Sequence, residues 1–333
     1  MFKIFVPETR NAVDFYIHIV EKAAQKAGEE VKWIKSTSEI NHDDIVFAID
    51  HNNGFKAMLR RPRKLIHWYQ GVAPEERTLY DKRNKFYVKL VYYAHSWLES
   101  LMLKNADLHL FVSKTMKNHY ERKHHLNPIE NYVIMPCFNT EMDENSFYDA
   151  KYSKPTFLYS GNTAGWQCFP QIVSLFKKIK ETMIPEAELK IYSGDKEIVS
   201  AELDKQGVNA EIRFVHYTKL NEEIKQFKYG FLIREDNVVN NVATPTKMSS
   251  YLGNGIIPIF SNVIGDFKEV FENVHYSIPL GTNYEGLDKL VELDKQYISG
   301  DNVKKDYKQI FEQYYNEDYY INLISEKIIA LKK

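Results

Sequence analysis

Two cysteines in 333 residues, Cys137 and Cys168, are too few for a disulfide framework, and neither belongs to a CxxC pair. Their scarcity excludes a disulfide-stapled scaffold and a structural zinc site, and points to a reducing compartment. Long apolar runs are missing as well. No stretch approaches the ~20 apolar residues that span a bilayer, and the opening MFKIFVPETR is too short in its apolar part for a signal peptide. Net charge is nearly absent: 44 Lys and Arg against 45 Asp and Glu leave −1, which gives no support to binding of a bulk polyanion such as nucleic acid. Also absent are GxSxG, GxxxxGK[ST] and GxGxxG, the marks of a hydrolase elbow, a P-loop and an ordinary dinucleotide-binding turn. Neither an internal repeat nor a low-complexity tract occurs.

What remains is a chain with 44% hydrophobic and 27% charged residues, too apolar for disorder. At ~100–200 residues per domain its length implies two domains or one large α/β unit. Short β-branched or apolar runs fall at 3–6, 31–34, 45–49, 65–69, 108–112 and 132–135, with helical patterns at 12–27 and 79–104 between them. A second series repeats the rhythm: strands at 156–160, 188–192, 211–215, 230–233, 257–260 and 276–278, and helices at 166–181, 196–206 and 221–227. Such alternation predicts an α/β fold with two doubly wound parallel sheets. The polar, acidic stretch 137–154 reads as the linker, giving domains of 1–150 and 151–333. Ligands of such domains bind beyond the carboxyl ends of the strands, so the chemistry is expected in loops after strands, in a cleft. The last segment, 304–329, reads as one helix whose aromatic stripe (Tyr307, Phe311, Tyr314, Tyr315, Tyr319) packs against a domain.

The most informative stretch is FLIREDNVVNNVATPTKMSSYLGNGIIPIF, from Phe231 to Phe260. A strand ends at Ile233, and Arg234, Asn240, Asn241 and Thr244 follow in a loop. Pro245 suits a first helical turn with Thr244 as its N-cap. The amides around Thr246 and Lys247 then open a helix, whose N-terminus favours an anion such as a diphosphate. Arg234 and Lys247 add two full charges. The plainer alternative leaves both as surface cations.

This stretch resembles the donor-binding region of bacterial family-four-like GT-B glycosyltransferases of surface polysaccharide biosynthesis. Their R-E-D-x-x-x-N-x-V-x-x-P-x-K-x-x-E-Y-L-x-x-G-x-P pattern is met by Arg234, Glu235, Asp236, Asn240, Val242, Pro245, Lys247, Tyr251, Leu252, Gly255 and Pro258. PTFLYSGNTAGWQCFPQI resembles the first strand and loop of the donor domain, where Gly161, Asn162 and Thr163 would let backbone approach a phosphate. IHWYQGVAPEE resembles the W-x-Q-G-x-x-P-E-E loop of the first domain, which puts Trp68, Gln70, Gly71 and Glu75 on the acceptor side. The resemblance implies two Rossmann-like domains facing each other across a cleft, with a terminal helix crossing back. It implies transfer of a sugar from a nucleoside-diphosphate donor to a glycan or polyprenyl-diphosphate-linked acceptor. Retention is expected, with no cofactor or metal, since Arg234 and Lys247 would stabilise the departing diphosphate. One position departs from the pattern: the Glu that bonds the ribose is here Ser250, and its companion Glu corresponds to Val242. Asn240 and Asn241 are the nearest substitutes for sugar contact. Weaker donor binding, an altered nucleotide, an engineered substitution and a non-catalytic scaffold stay open, as does a nucleotide-sugar epimerase. The epimerase would draw its acids and histidine from Glu8, Glu75, Glu76 and His67.

Between Lys56 and Lys89 ten Lys or Arg face three acids, a local balance of +7 interleaved with aromatics. Basic and aromatic residues together suit anionic headgroups, so peripheral contact with an anionic membrane is expected, in a cytoplasmic protein at the inner face of the cell membrane. A solvated helix face is the alternative. No nucleic-acid module accompanies the patch. His119, His124 and His125 lie among Lys117, Arg122 and Lys123 and read as basic surface rather than as metal ligands.

Overall fold

The computed structural model describes residues 1–8 and 11–333, apart from the side chains of residues 11 and 12. The chain divides into two compact units, the first made of Met1–Cys137, Val242–Thr244 and Asn316–Lys333, the second of Phe138–Asn241 and Pro245–Tyr315.

The first unit runs β1 (Phe2–Phe5), α1 (Asn11–Lys26), β2 (Val31–Ile34), β3 (Ile45–Ile49), α2 (His51–Met58), β4 (Lys64–Tyr69), α3 (Ala73–Tyr80), α4 (Lys85–Asn105), β5 (Leu108–Phe111), α5 (Lys114–Lys123) and β6 (Tyr132–Ile134). Its six strands are all parallel, in the order β2-β1-β3-β4-β5-β6. The central strands are buried throughout, which is why they read as unbroken apolar runs. The expected single helix over 79–104 is two. Asp81 ends α3, and Asn84 opens α4 by accepting a hydrogen bond from the Phe86 amide at 2.8 Å.

The second unit runs β7 (Thr156–Ser160), α6 (Phe169–Thr182), β8 (Glu188–Tyr192), α7 (Lys196–Gln206), β9 (Glu211–Arg213), α8 (Tyr217–Ile224), β10 (Tyr229–Leu232), α9 (Val238–Asn241), α10 (Lys247–Gly253), β11 (Ile257–Ser261), α11 (Gly265–Val270), β12 (Ile278–Leu280), α12 (Leu287–Lys295) and α13 (Gly300–Gln313). Its parallel sheet has the order β12-β11-β10-β7-β8-β9. The stretch read as a linker is instead packed into this unit. It makes two short 3-10 turns, buries Phe138, Phe147 and Tyr152, and bonds Tyr152 to the Gly255 carbonyl at 2.8 Å. Gly255 has φ +64, and a Cβ there would meet the Ser146 carbonyl at 2.9 Å, so only glycine admits the turn.

The terminal segment is also two helices. α13 stops near Tyr314, and Asn316 caps α14 (Glu317–Leu331), which packs on α1 in the first unit. Within the stripe, Tyr307 and Tyr315 are buried, while Tyr319 is exposed.

Candidate functional site

In each sheet one strand has neighbours reached in opposite directions, and at that switch the loops part to leave a crevice. In the second sheet the switch lies between β7 and β10. The loop after β7 begins at Gly161, and the loop after β10 begins at Ile233 and Arg234.

Arg234 is only 8% exposed. Its amide donates to Ser261 Oγ at 2.9 Å, and its guanidinium to the Ile233 carbonyl at 3.0 Å. Lys247 Nζ lies 4.5 Å from the centre of the Tyr159 ring and donates to Gln167 Oε1 at 3.2 Å. Among the described residues no carboxylate pairs with it. Loss of water pushes the Lys247 pKa well below the usual lysine value, and the Arg234 charge adds to the effect. Gly161 has φ +144, and a Cβ on it would come within 3.3 Å of Lys247 Nζ. The glycine turn therefore lies directly against the ammonium group.

The loop is held by its own contacts. Tyr159 Oη donates to the Asn162 carbonyl, and Asn162 Oδ1 accepts from the Ala164 amide at 3.2 Å. Asp195 accepts from both the Thr163 amide (2.7 Å) and the Thr163 hydroxyl (2.9 Å). Those bonds leave the Asp195 pKa lowered. The Thr163 amide is thus already satisfied by a carboxylate.

The helix carrying Lys247 starts later than expected. Its N-cap position is Thr246, without a side-chain cap bond, and the Pro245 carbonyl accepts from the Met248 amide. Thr244 is not the cap. It belongs to the first unit, where its hydroxyl accepts from the Cys137 amide at 2.9 Å and donates to the Val112 carbonyl at 3.3 Å. Asn240 is buried and holds its own loop, donating to the Glu235 carbonyl at 3.0 Å, while Asn241 donates to Asp236. Ser250 is half-buried, its hydroxyl 3.2 Å from that of Thr140.

In the first sheet the switch lies between β1 and β3, and beyond it opens a cavity of about 610 Å³. Trp68, Gln70 and Gly71 line it; Glu75 does not. Glu75 instead pairs with Lys123 at 2.8 Å and His119 at 3.1 Å. Burial raises its pKa, but those two hydrogen bonds outweigh burial and leave it lowered. The histidines read as basic surface are therefore met by acids distant in sequence, His119 by Glu75 and His124 by Glu99. His67 is not a loop residue. It lies in β4, fully buried with no partner for either ring nitrogen among the described residues, and burial pulls its pKa down to about 3.

Residues not anticipated in this cavity are Asp50, His51, Arg77 and His95. His51 Nε2 and His95 Nδ1 are 2.7 Å apart, and burial lowers the pKa of both. Asp50 and His51 directly follow β3, so the rule that chemistry follows strand ends would have found them. Gln167 and Asp195 in the second unit carried no comparable signal.

No family model matches the sequence, and no curated protein matches it. Solved structures do match. Sucrose-phosphate synthase from Thermosynechococcus elongatus superposes with a TM-score of 0.69 at 11% identity, over 99% of this chain and 98% of that one. WaaG, a glycosyltransferase involved in lipopolysaccharide biosynthesis, gives 0.63 at 8% identity over 97% and 99%. An alpha,alpha-trehalose-phosphate synthase (UDP-forming) from Burkholderia vietnamiensis gives 0.61 at 10% over 97% and 81%. At these identities the likeness shows the fold, which is α/β with two Rossmann-like units, the GT-B fold expected from the sequence.

Proposed function

We propose that the chain is a glycosyltransferase that moves a sugar from a nucleoside diphosphate to a glycan or polyprenyl-diphosphate-linked acceptor, with retention and without a metal. One observation carries this reading. Lys247 lies against a glycine turn at the switch point of the second sheet, within reach of the Arg234 charge and with no carboxylate paired to it among the described residues. Burial and the Arg234 charge disfavour the protonated form of Lys247, and a bound anion restores it. A departing diphosphate gains charge in the transition state, so such a pair lowers the barrier; losing one such donor typically costs ~10²–10³ in rate.

In this reading the second unit binds the donor, with Gly161, Asn162, Pro245, Thr246 and Ser250 around it, and the cavity of the first unit takes the acceptor. The two free cysteines agree with a cytoplasmic location. The test is calorimetric titration with UDP and GDP. Lys247→Ala and Arg234→Ala should each weaken binding by about 1.5–3 kcal/mol, the range for charge-assisted hydrogen bonds. Unchanged affinity in both variants would falsify the placement.

A second reading, a nucleotide-sugar epimerase, draws on the acids and histidines that line the first unit's cavity: Glu8, Asp50, His51, Glu76 and His95. Incubation with donor alone separates the two. Free sugar marks a transferase, a new nucleotide sugar an epimerase, and neither a scaffold.

A further inference from the structure

We propose that the cavity of the first unit recognises an acidic sugar, a polyol that itself carries a carboxylate or a phosphate ester. That this sugar is the acceptor rests on the transferase reading; its recognition does not. The oxyanion is matched by donors that the fold leaves unused. α2 opens on the cavity through Asp50, His51, Asn52 and Asn53. Asp50 makes no side-chain cap bond, and the Gly54 amide is the first of the helix to meet a carbonyl, that of Asp50 at 2.8 Å. The three amides before it lack an intrahelical partner, and such a helix end favours an anion. A second observation points the same way. Trp68 lines the cavity and is only 1% exposed, yet its indole N–H has no partner among the described residues. Gln70, also on the wall, leaves its amide Nε2 unmatched. A buried donor without an acceptor is costly, and a ligand oxygen would satisfy each of them. Lys56 and Arg77 add full charges to the wall, and neither is in an ion pair among the described residues.

The rest of the wall suits hydroxyl groups. Asp50 and Glu76 line it too, and burial raises the Glu76 pKa. These carboxylates would repel a bare anion, whereas sugar hydroxyls donate to them. His51 Nε2 and His95 Nδ1 share one hydrogen bond of 2.7 Å, and neither outer ring nitrogen has a partner among the described residues. Burial favours the neutral rings, so whichever ring donates, the pair keeps one free N–H and one bare nitrogen. A hydroxyl both donates and accepts, and so complements that pair. The volume of about 610 Å³ falls in the range of small-molecule sites.

The test is saturation-transfer NMR of the full chain with glucose, glucuronate and glucose 6-phosphate, and with their galactose counterparts. At least one acidic sugar should bind about tenfold tighter than its neutral parent, and the better of the two acids identifies the source of the oxyanion. Arg77→Gln should weaken that acidic sugar about tenfold or more and leave the neutral one nearly unchanged. Its thermal melting should match the parent chain, because Arg77 has no ion pair to lose. Trp68→Phe removes one N–H from the same wall and should weaken the acidic sugar about threefold or more. Lys247→Ala should bind the acidic sugar as the parent does, which separates this cavity from the donor site. Equal binding of acidic and neutral sugars, or no binding of any of the six, would overturn the proposal. So would inorganic pyrophosphate displacing the acidic sugar at equal concentration, or a loss of binding in Lys247→Ala rather than in Arg77→Gln. UDP titration of the parent chain stands apart: its failure would sink the transferase reading and leave the recognition of an acidic sugar in place.

Discussion

Desolvation and the neighbouring Arg234 charge both disfavour the protonated form of Lys247, which depresses its pKa well below the ordinary lysine value. Between the depressed value and the ordinary one, the unfolded chain binds more protons than the folded chain. Stability from this group therefore rises with pH across that window. A bound diphosphate reverses the balance, because its negative charge restores the protonated form. UDP binding at a pH above the depressed value should take up a proton, and affinity should fall as pH rises further. The calorimetric enthalpy should then vary with the ionisation enthalpy of the buffer, and that dependence should vanish in Lys247→Met. A wild-type enthalpy indifferent to buffer rejects the argument. Ser250 supplies a second test: a carboxylate accepts from both ribose hydroxyls, so Ser250→Glu should lower the donor dissociation constant about tenfold, or 1.4 kcal/mol. Equal or weaker binding would mean that the pocket around Ser250 and Thr140 has been remodelled. Arg234 and Lys247 were legible in the sequence because fixed spacing puts them on one strand–loop–helix unit. Asp195 and Gln167 were not, because their partners lie 32 and 80 residues away.

At the scale of elements, α10 matters most, since it carries Lys247. Two contacts seat it. Tyr251, one turn after Lys247, lays its ring on Gly230 of β10 and donates to the Phe231 carbonyl at 3.1 Å. At the other end buried Lys151 donates to the Asn254 carbonyl, which satisfies a backbone group at the end of the helix. A Cβ at residue 230 would lie 2.7 Å from the Tyr251 ring. Gly230→Ala should therefore cost about 1–3 kcal/mol of stability by overpacking, read by urea unfolding, and should also weaken UDP binding by displacing α10. Wild-type stability and affinity in that variant would show that α10 is seated by other means. The central strands were legible because both sheets bury them on two faces, and β-branched runs mark that environment. Helix boundaries were less so. Asp81–Asn84 and Tyr314–Asn316 interrupt apolar periodicity only briefly, and the caps at Asn84 and Asn316 decide the breaks through single hydrogen bonds. The 137–154 stretch was misread because its acids hid Phe138, Phe147 and Tyr152, each buried against the second unit.

The last described helix belongs to the first unit. After α13 the chain leaves the second unit, and α14 joins the first, where it packs along α1. Tyr320, Ile324 and Ile328 are its buried apolar residues, and ion pairs flank them: Lys22 with Glu317 at 2.7 Å and Lys332 with Glu29 at 3.0 Å. Lys332 also donates to the Ala27 carbonyl at 2.7 Å, satisfying a group at the end of α1. The exposed pairs contribute little, about 0–1 kcal/mol each, so the apolar side chains must hold the helix. Fully burying one such side chain stabilises by about 1.5–3 kcal/mol. Three together approach the ~5–15 kcal/mol that separates a folded domain from an unfolded one. Ile324→Ala should accordingly lower stability by about 2–5 kcal/mol, the cost of a buried large-to-small change, whereas Lys22→Ala should cost less than about 1 kcal/mol. The unfolding should start in the first unit while UDP affinity of the second stays near wild type at low denaturant. Urea titration followed by far-ultraviolet circular dichroism, beside UDP titration of the same variant, measures both. Loss of UDP binding together with the first unit would show that the two units fold as one, and that α14 stabilises the donor site as well as the sheet it covers.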